Sequence, residues 1–191
     1  MTAVEIQLQQ DVQRLTEIPP IRWSDLQAHK TALPKAPGVY AWWFSPPPAG
    51  VPLEGTLSGP AGHLLYVGIA GSNLHQRIRH QHFGGNAEGS TLRRTLGVVL
   101  ADTLGIHLEL SPSGTRLTFG SEGEKKLTHW MVNHASVGWL AYDHPHEFED
   151  TALHTLCVPL NLKNNEHHPF HPQLTALRKK MATAAKLATP S

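Results

Sequence analysis

The sequence holds a single cysteine, Cys157, in 191 residues. That excludes an internal disulfide framework and fits a reducing, cytoplasmic setting. Long apolar runs are also missing. The longest, Leu96 to Ala101 with its glycine, falls far short of the roughly 20 residues that span a bilayer. The opening residues MTAVEIQLQQ lack both a basic start and an apolar run, which predicts no signal peptide. Charge is sparse: charged residues make up 16% of the chain, against roughly 25% in an average soluble domain. With a net charge of +1, any affinity for nucleic acid has to come from a local patch. The 40% of apolar residues is too high for a disordered chain and sufficient for one compact domain without a membrane partner.

Val4, Leu8, Val12 and Leu15 recur at helical spacing, and Pro19-Pro20 ends that helix. Ser24 and Gln27 form a capping-box pattern that opens a short second helix ending before Pro34. Residues 1–36 therefore read as an N-terminal helical arm. Val39 to Phe44 and His63 to Ala70 are β-forming and apolar, and they predict two strands joined by a long Pro/Gly-rich loop over residues 45–62. Asn73 caps a helix over about 74–83, and Ser90 caps another that stops at Gly105. Ile106 to Leu110 and Thr115 to Phe119 alternate around a Ser-Pro-Ser-Gly turn, predicting a hairpin. Ser121 with Glu124 reads as a capping box for a helix to about His134, and Val137 to Tyr142 as a third main strand. A helix from about His146, broken near Pro159, a His/Asn/Pro-rich link and a basic helix near Leu174 to Ala185 complete the chain. The order predicts an α/β (α+β) fold: a small mixed three-stranded sheet sandwiched by helices, with an extra hairpin and helical arms.

Two aromatic-glycine strand motifs stand out, Gly38-Val39-Tyr40 and Tyr66-Val67-Gly68. Asn73-Leu74 follows, with Arg77 four residues after the asparagine; further on, Glu149 precedes Pro159-Leu160-Asn161 by a helix's length. In this order the set resembles the GIY-YIG endonuclease family. The resemblance covers about residues 37–162, leaving 163–191 as a C-terminal link and basic helix.

The resemblance implies a nuclease that hydrolyses DNA phosphodiester bonds, with RNA cleavage or a non-catalytic nucleic-acid-binding module as the alternatives. It gives Glu149 as the single metal ligand, so one Mg²⁺, or Mn²⁺ in its place, with a mostly aqueous shell. Arg77 would clamp a phosphate oxygen through its planar fork. Tyr40 would accept the water's proton, and Tyr66 would hydrogen-bond within the same pocket. A phenol with a pKa of ~10 needs a neighbour to activate it. The family often has a histidine or tyrosine four residues after the arginine. Gln81 holds that position here, flanked by His80 and His82, and His82 is the preferred activator. Leu153 and Leu156 share a helical face with Glu149, which favours it over Glu147 as the inward carboxylate. Asn161 is expected to brace the active-site helix.

Between Asn73 and Leu96 four arginines face one acid, Glu88, so Arg79, His80, Arg93 and Arg94 are candidates for nucleic-acid contacts. His144-Pro-His146 and His167-His168-Pro-Phe-His171 lack the spacing that organises a zinc site. Trp42, Trp43, Trp130 and Trp139 fall on element faces and read as core.

Overall fold

A computed structural model describes residues 2–28, 33–111, 114 and 116–188. Its main sheet has five strands in the order β1-β7-β2-β4-β3: β1 (Ile21–Arg22), β2 (Gly38–Phe44), β3 (Ser58–Gly59), β4 (Gly62–Ala70) and β7 (Ala135–Ala141). Every pairing is antiparallel, so the expected mixed three-stranded sheet is corrected on both counts. The two added strands are two-residue edges whose pairing comes from their tertiary neighbours. A separate hairpin joins β5 (Glu109–Leu110) to β6 (Leu117–Thr118). It is shorter than the alternation suggests, and Pro112, Ser113 and Thr115 of its turn lie outside the described residues.

All seven residues of β2 are buried, because helices cover both faces of the sheet. On one face Tyr40, Trp42, Phe44, Leu65 and Tyr66 join the larger core. Helices α2 (Trp23–Ala28), α3 (Thr91–Val99), α5 (Gly120–His134) and α7 (His171–Leu187) contribute Leu26, Leu96, Leu127 and Leu174 to it. On the other face Val39, Ala41, Trp43, Leu64 and Val67 meet Val12 and Leu15 of α1 (Ala3–Glu17) and Phe148, Ala152 and Leu153 of α6 (Pro145–Thr155). The segment read as an arm thus supplies both an edge strand and part of a core wall. The expected tryptophan packing holds: Trp42 and Trp43 are buried, and Trp130 and Trp139 pack partly buried against the core.

The register of β2 with β4 shifts between Trp42 and Trp43, where Trp42 faces Tyr66 and Trp43 faces Leu64. Leu65 is the extra residue of a β-bulge, a device that re-aims side chains beside functional sites. It brings Leu65 onto the face that Tyr66, paired with Trp42, already shares with Tyr40. The two motif glycines follow from close approach. A Cβ at Gly38 would collide with the Leu140 carbonyl and the Leu74 side chain, and one at Gly68 would lie 2.6 Å from the Tyr40 hydroxyl.

After β4 the helix expected over about 74–83 is present, and it is a π-helix over Gln76–Phe83. Asn73 still caps its start, its Oδ1 accepting from Gln76 N at 2.9 Å. Ser90 caps α3 as expected, and the short α4 (Ala101–Leu104) ends at Gly105 in the left-handed region. The Ser121–Glu124 capping box does not form: α5 begins at Gly120 with no side-chain cap. Glu124 instead accepts from Ala87 N and Phe119 N and pairs with Arg93. Residues 29–32, into which the second helix was expected to run, lie outside the described set. Among the described residues no helix is long and apolar enough to cross a membrane.

Candidate active site

The site sits where β2, β4 and the π-helix meet. The Tyr40 hydroxyl lies at its centre, 3.2 Å from Arg77 Nε and 2.8 Å from His82 Nε2. The opposite ring nitrogen of His82, Nδ1, is 2.7 Å from Ser90 Oγ, which also accepts from Arg93 N at 3.1 Å. Tyr40, His82 and Ser90 therefore form one continuous hydrogen-bonded chain, all of it buried. The π-helix explains how His82 gets there. Its i→i+5 pattern, a geometry often found at functional sites, brings Arg77 and His82 to one side. His80 is exposed and tilts against His75 instead.

Arg77 is pinned by its own helix. Nη1 donates to Gln81 Oε1 and to the Gly89 carbonyl, while Nη2 makes no hydrogen bond among the described residues. Beside it opens a cleft of about 240 Å³ between the end of β4 and the π-helix, lined by Gly71, Ser72, Asn73 and Gln81 among others.

Glu149 projects from α6 half-buried, while Glu147 is exposed. The Glu149 carboxylate makes no hydrogen bond or ion pair among the described residues, and it lies within electrostatic reach of Tyr40, Tyr66 and Arg77. Burial pushes its pKa up; Lys163, His146 and Arg77 act in the other direction. Lys163 and His146 were not foreseen. His146, one helical turn before Glu149, brings Nε2 close to Gly71.

The electrostatics divide the groups by role. Burial raises Tyr40, against the lowering effect of Arg77, so the free protein holds a neutral phenol there. Burial, reinforced by Arg77 and Arg93, holds His82 well below the usual histidine range, so it is neutral too. Desolvation works against the Arg77 cation, but Tyr40, Tyr66 and Glu149 together raise its pKa. Tyr66 is raised strongly by burial, then by Tyr40. Its hydroxyl makes no hydrogen bond among the described residues, unlike the bonded tyrosine expected from the sequence.

Asn161 holds a strand and not a helix. Its Oδ1 accepts from Val67 N at 3.0 Å and its Nδ2 donates to Val67 O at 2.7 Å, while Leu160 N donates to Leu65 O. The Pro-Leu-Asn segment thereby covers the edge of β4 that the short β3 leaves open, next to Tyr66 and Gly68.

Belonging follows from this arrangement together with one comparison. The model of the GIY-YIG catalytic domain matches residues 38–180, about three quarters of the chain. The chain belongs to the GIY-YIG catalytic domain family. No curated protein and no solved structure matches it. The family's activity is that of a nuclease, and its substrate is nucleic acid. The match runs past Asn161 to take in most of the first three turns of α7.

Of the four residues expected to meet nucleic acid, Arg93 is corrected. Its side chain is fully buried, with Nε and Nη2 on Glu124, Nη1 on the carbonyls of His82 and Phe83, and Nη2 also on Thr128. A guanidinium spent this way has no donor left for a phosphate. Arg79 stands over the Trp23 ring at 6.0 Å. Arg94 is half-buried, its Nε on the Ala87 carbonyl. Among the described residues no three His, Cys, Asp or Glu side chains come together to hold a metal. Sequence reasoning assigned Ser90 only as a helix cap, and nothing in a linear pattern marks it as the end of the Tyr40–His82 chain.

Proposed function

We propose that this GIY-YIG nuclease is a divalent-metal-dependent enzyme that hydrolyses DNA phosphodiester bonds in the cytoplasm. The observation that carries the reading is the Tyr40 hydroxyl bridged between Arg77 and His82, with the Glu149 carboxylate, unpaired among the described residues, within electrostatic reach of Tyr40 and Arg77. A half-buried carboxylate with no hydrogen bond or ion pair among the described residues suits Mg²⁺, or Mn²⁺, which binds through one or two carboxylates and keeps several waters. Glu149 would hold the ion, which polarises a phosphoryl oxygen when bound.

The chain's own groups then divide the work. The free Nη2 edge of Arg77 takes a non-bridging phosphate oxygen and offsets the charge that builds at phosphorus. As Arg77 turns onto the phosphate, it releases the lone pair it occupies on Tyr40. Tyr40 takes a proton from the attacking water while its own proton passes to His82 Nε2, which burial keeps neutral and able to accept. The water oxygen bonds to phosphorus as the P–O bond to the leaving oxygen breaks, and the leaving oxygen takes a proton from solvent. Asn161 keeps Tyr66 and Gly68 in register throughout.

The test is an endpoint cleavage assay with Mg²⁺ or Mn²⁺ on supercoiled plasmid, single-stranded DNA and RNA. Wild type cuts DNA, and Glu149→Ala and Arg77→Ala each lose at least ~100-fold, the scale of removing one transition-state charge contact. Cleavage that survives Glu149→Ala overturns the assignment of the metal ligand. Binding of DNA without cleavage by folded wild type supports the binding module instead.

A further inference from the structure

A cavity of about 460 Å³ opens on the sheet face opposite Tyr40, a volume within the range of small-molecule sites. Its floor is one row of the sheet: Arg22 of β1 pairs with Ser136 of β7, and Ser136 pairs with Trp43 of β2. Side chains directly opposite on antiparallel strands stand about 5 Å apart, so these three project together from one face. Trp43 belongs to the core that excludes Tyr40, which separates this row from the candidate active site. Ile18 and Pro19, just after α1, and Pro60, in the turn between β3 and β4, add apolar walls. Residues 16–22 precede the matched span of 38–180, so the cavity is built partly from a segment outside the family domain. Ser136 is 4% exposed, yet its hydroxyl makes no hydrogen bond among the described residues. A nearly buried hydroxyl that lines a cavity without a partner is a donor ready for one. Arg22 beside it is exposed and makes no hydrogen bond or ion pair among the described residues. A guanidinium and a hydroxyl side by side match the two oxygens of a carboxylate. Glu17, whose Oε1 accepts from Gln13 Nε2 at 2.8 Å, also lines the cavity. One cation against one carboxylate leaves no surplus for a doubly charged phosphate ester, so a singly charged ligand fits best.

We propose that this cavity binds a small organic monocarboxylate with an apolar body. The carboxylate sits on Arg22 and Ser136, and the body lies against Trp43, Ile18 and the two prolines. The site is separate from the nuclease centre and does not depend on that reading.

Isothermal titration calorimetry of the full chain with naphthoate tests the site, with naphthamide, acetate and naphthyl phosphate as comparison probes. Naphthoate binds with a stoichiometry of one. The amide, which lacks the charge, and acetate, which lacks the body, each bind roughly tenfold more weakly or worse. Arg22→Gln weakens naphthoate about tenfold, the scale of one charged hydrogen-bonded contact, and Ser136→Ala about fivefold, the scale of a neutral one. Arg22 is exposed, so its replacement leaves the fold intact, and circular dichroism checks both variants. Lys179→Gln, an exposed change on α7, binds naphthoate as wild type does. No naphthoate binding by wild type overturns the proposal. So does wild-type affinity in folded Arg22→Gln, or an equal loss in Lys179→Gln. Naphthyl phosphate that binds as tightly as naphthoate overturns the choice of a carboxylate.

Discussion

Arg93→Ala separates a structural arginine from a substrate-binding one. The substitution removes a guanidinium that is 0% exposed and bonded to Glu124, to two carbonyls at the end of the π-helix, and to Thr128. Glu124 keeps its bonds from Ala87 N, Phe119 N and Thr118 Oγ1, all on Oε1, but both bonds to Oε2 disappear. That leaves a carboxylate oxygen without its cation in a side chain 12% exposed. Breaking a buried pair from one side costs ~3–5 kcal/mol, and the lost carbonyl partners act in the same direction. Surface substitutions such as Arg79→Ala stay within about 1 kcal/mol. Urea denaturation monitored by tryptophan fluorescence reads both. Arg93→Lys recovers part of the loss, because an ammonium cannot reproduce the fork. Unchanged stability in Arg93→Ala together with lost DNA affinity would refute the reasoning and return Arg93 to the interface.

Three further outcomes follow from the same geometry. Asn161→Ala leaves Val67 N and O without side-chain partners at the edge of β4, for a loss of about 2–3 kcal/mol in denaturant titration. Gly68→Ala places a methyl 2.6 Å from the Tyr40 hydroxyl, so overpacking costs ~1–3 kcal/mol and cleavage falls further than stability does. His82 is held below its ordinary pKa when folded but titrates near 6.5 when unfolded, so the unfolded chain binds its proton first. Stability is therefore lost as pH falls below about 6.5, with up to ~1.4 kcal/mol per pH unit from this group, and melting curves of His82→Gln show a shallower fall over that range.

The sequence pattern carried some elements and not others for physical reasons. β2 and β4 were legible because Val39 to Phe44 and His63 to Ala70 are dense in strand-forming apolar residues whose burial is local to the pattern. β1 and β3 are two residues each; Ile21 pairs with Val137 and Ser58 with His63 only because the tertiary fold brings them there. Glu124 was read as a capping residue by its offset from Ser121, but its partner is Arg93, 31 residues away. No linear spacing signals such a pair. The same limit placed Arg93 among the surface cations, since four arginines in one stretch look alike until burial sorts them. Tyr40, Arg77 and Glu149 were singled out through the resemblance to the family motifs, and the structure brings the three within electrostatic reach of one another. The Tyr66 hydroxyl, expected to be bonded, makes no hydrogen bond among the described residues, and a strand motif does not show which partners the fold brings to it.

The π-helix sets where Gln81 and His82 fall around Arg77. A regular α-helix puts the residue four after Arg77 on the same face, which is Gln81, and sends His82 round the helix. The wider i→i+5 turn holds both positions near Arg77: Gln81 accepts from Nη1, and His82 reaches the Tyr40 hydroxyl that Nε also touches. Two contacts are thus made by two side chains, Gln81 holding the arginine and His82 meeting the tyrosine hydroxyl. The arrangement persists because the end of the π-helix is fastened by Arg93, whose Nη1 bonds the His82 and Phe83 carbonyls, and by the stacking of Phe83 on Trp23 at 3.5 Å. The buried arginine, with no donor left for a phosphate, therefore fixes the backbone that carries His82.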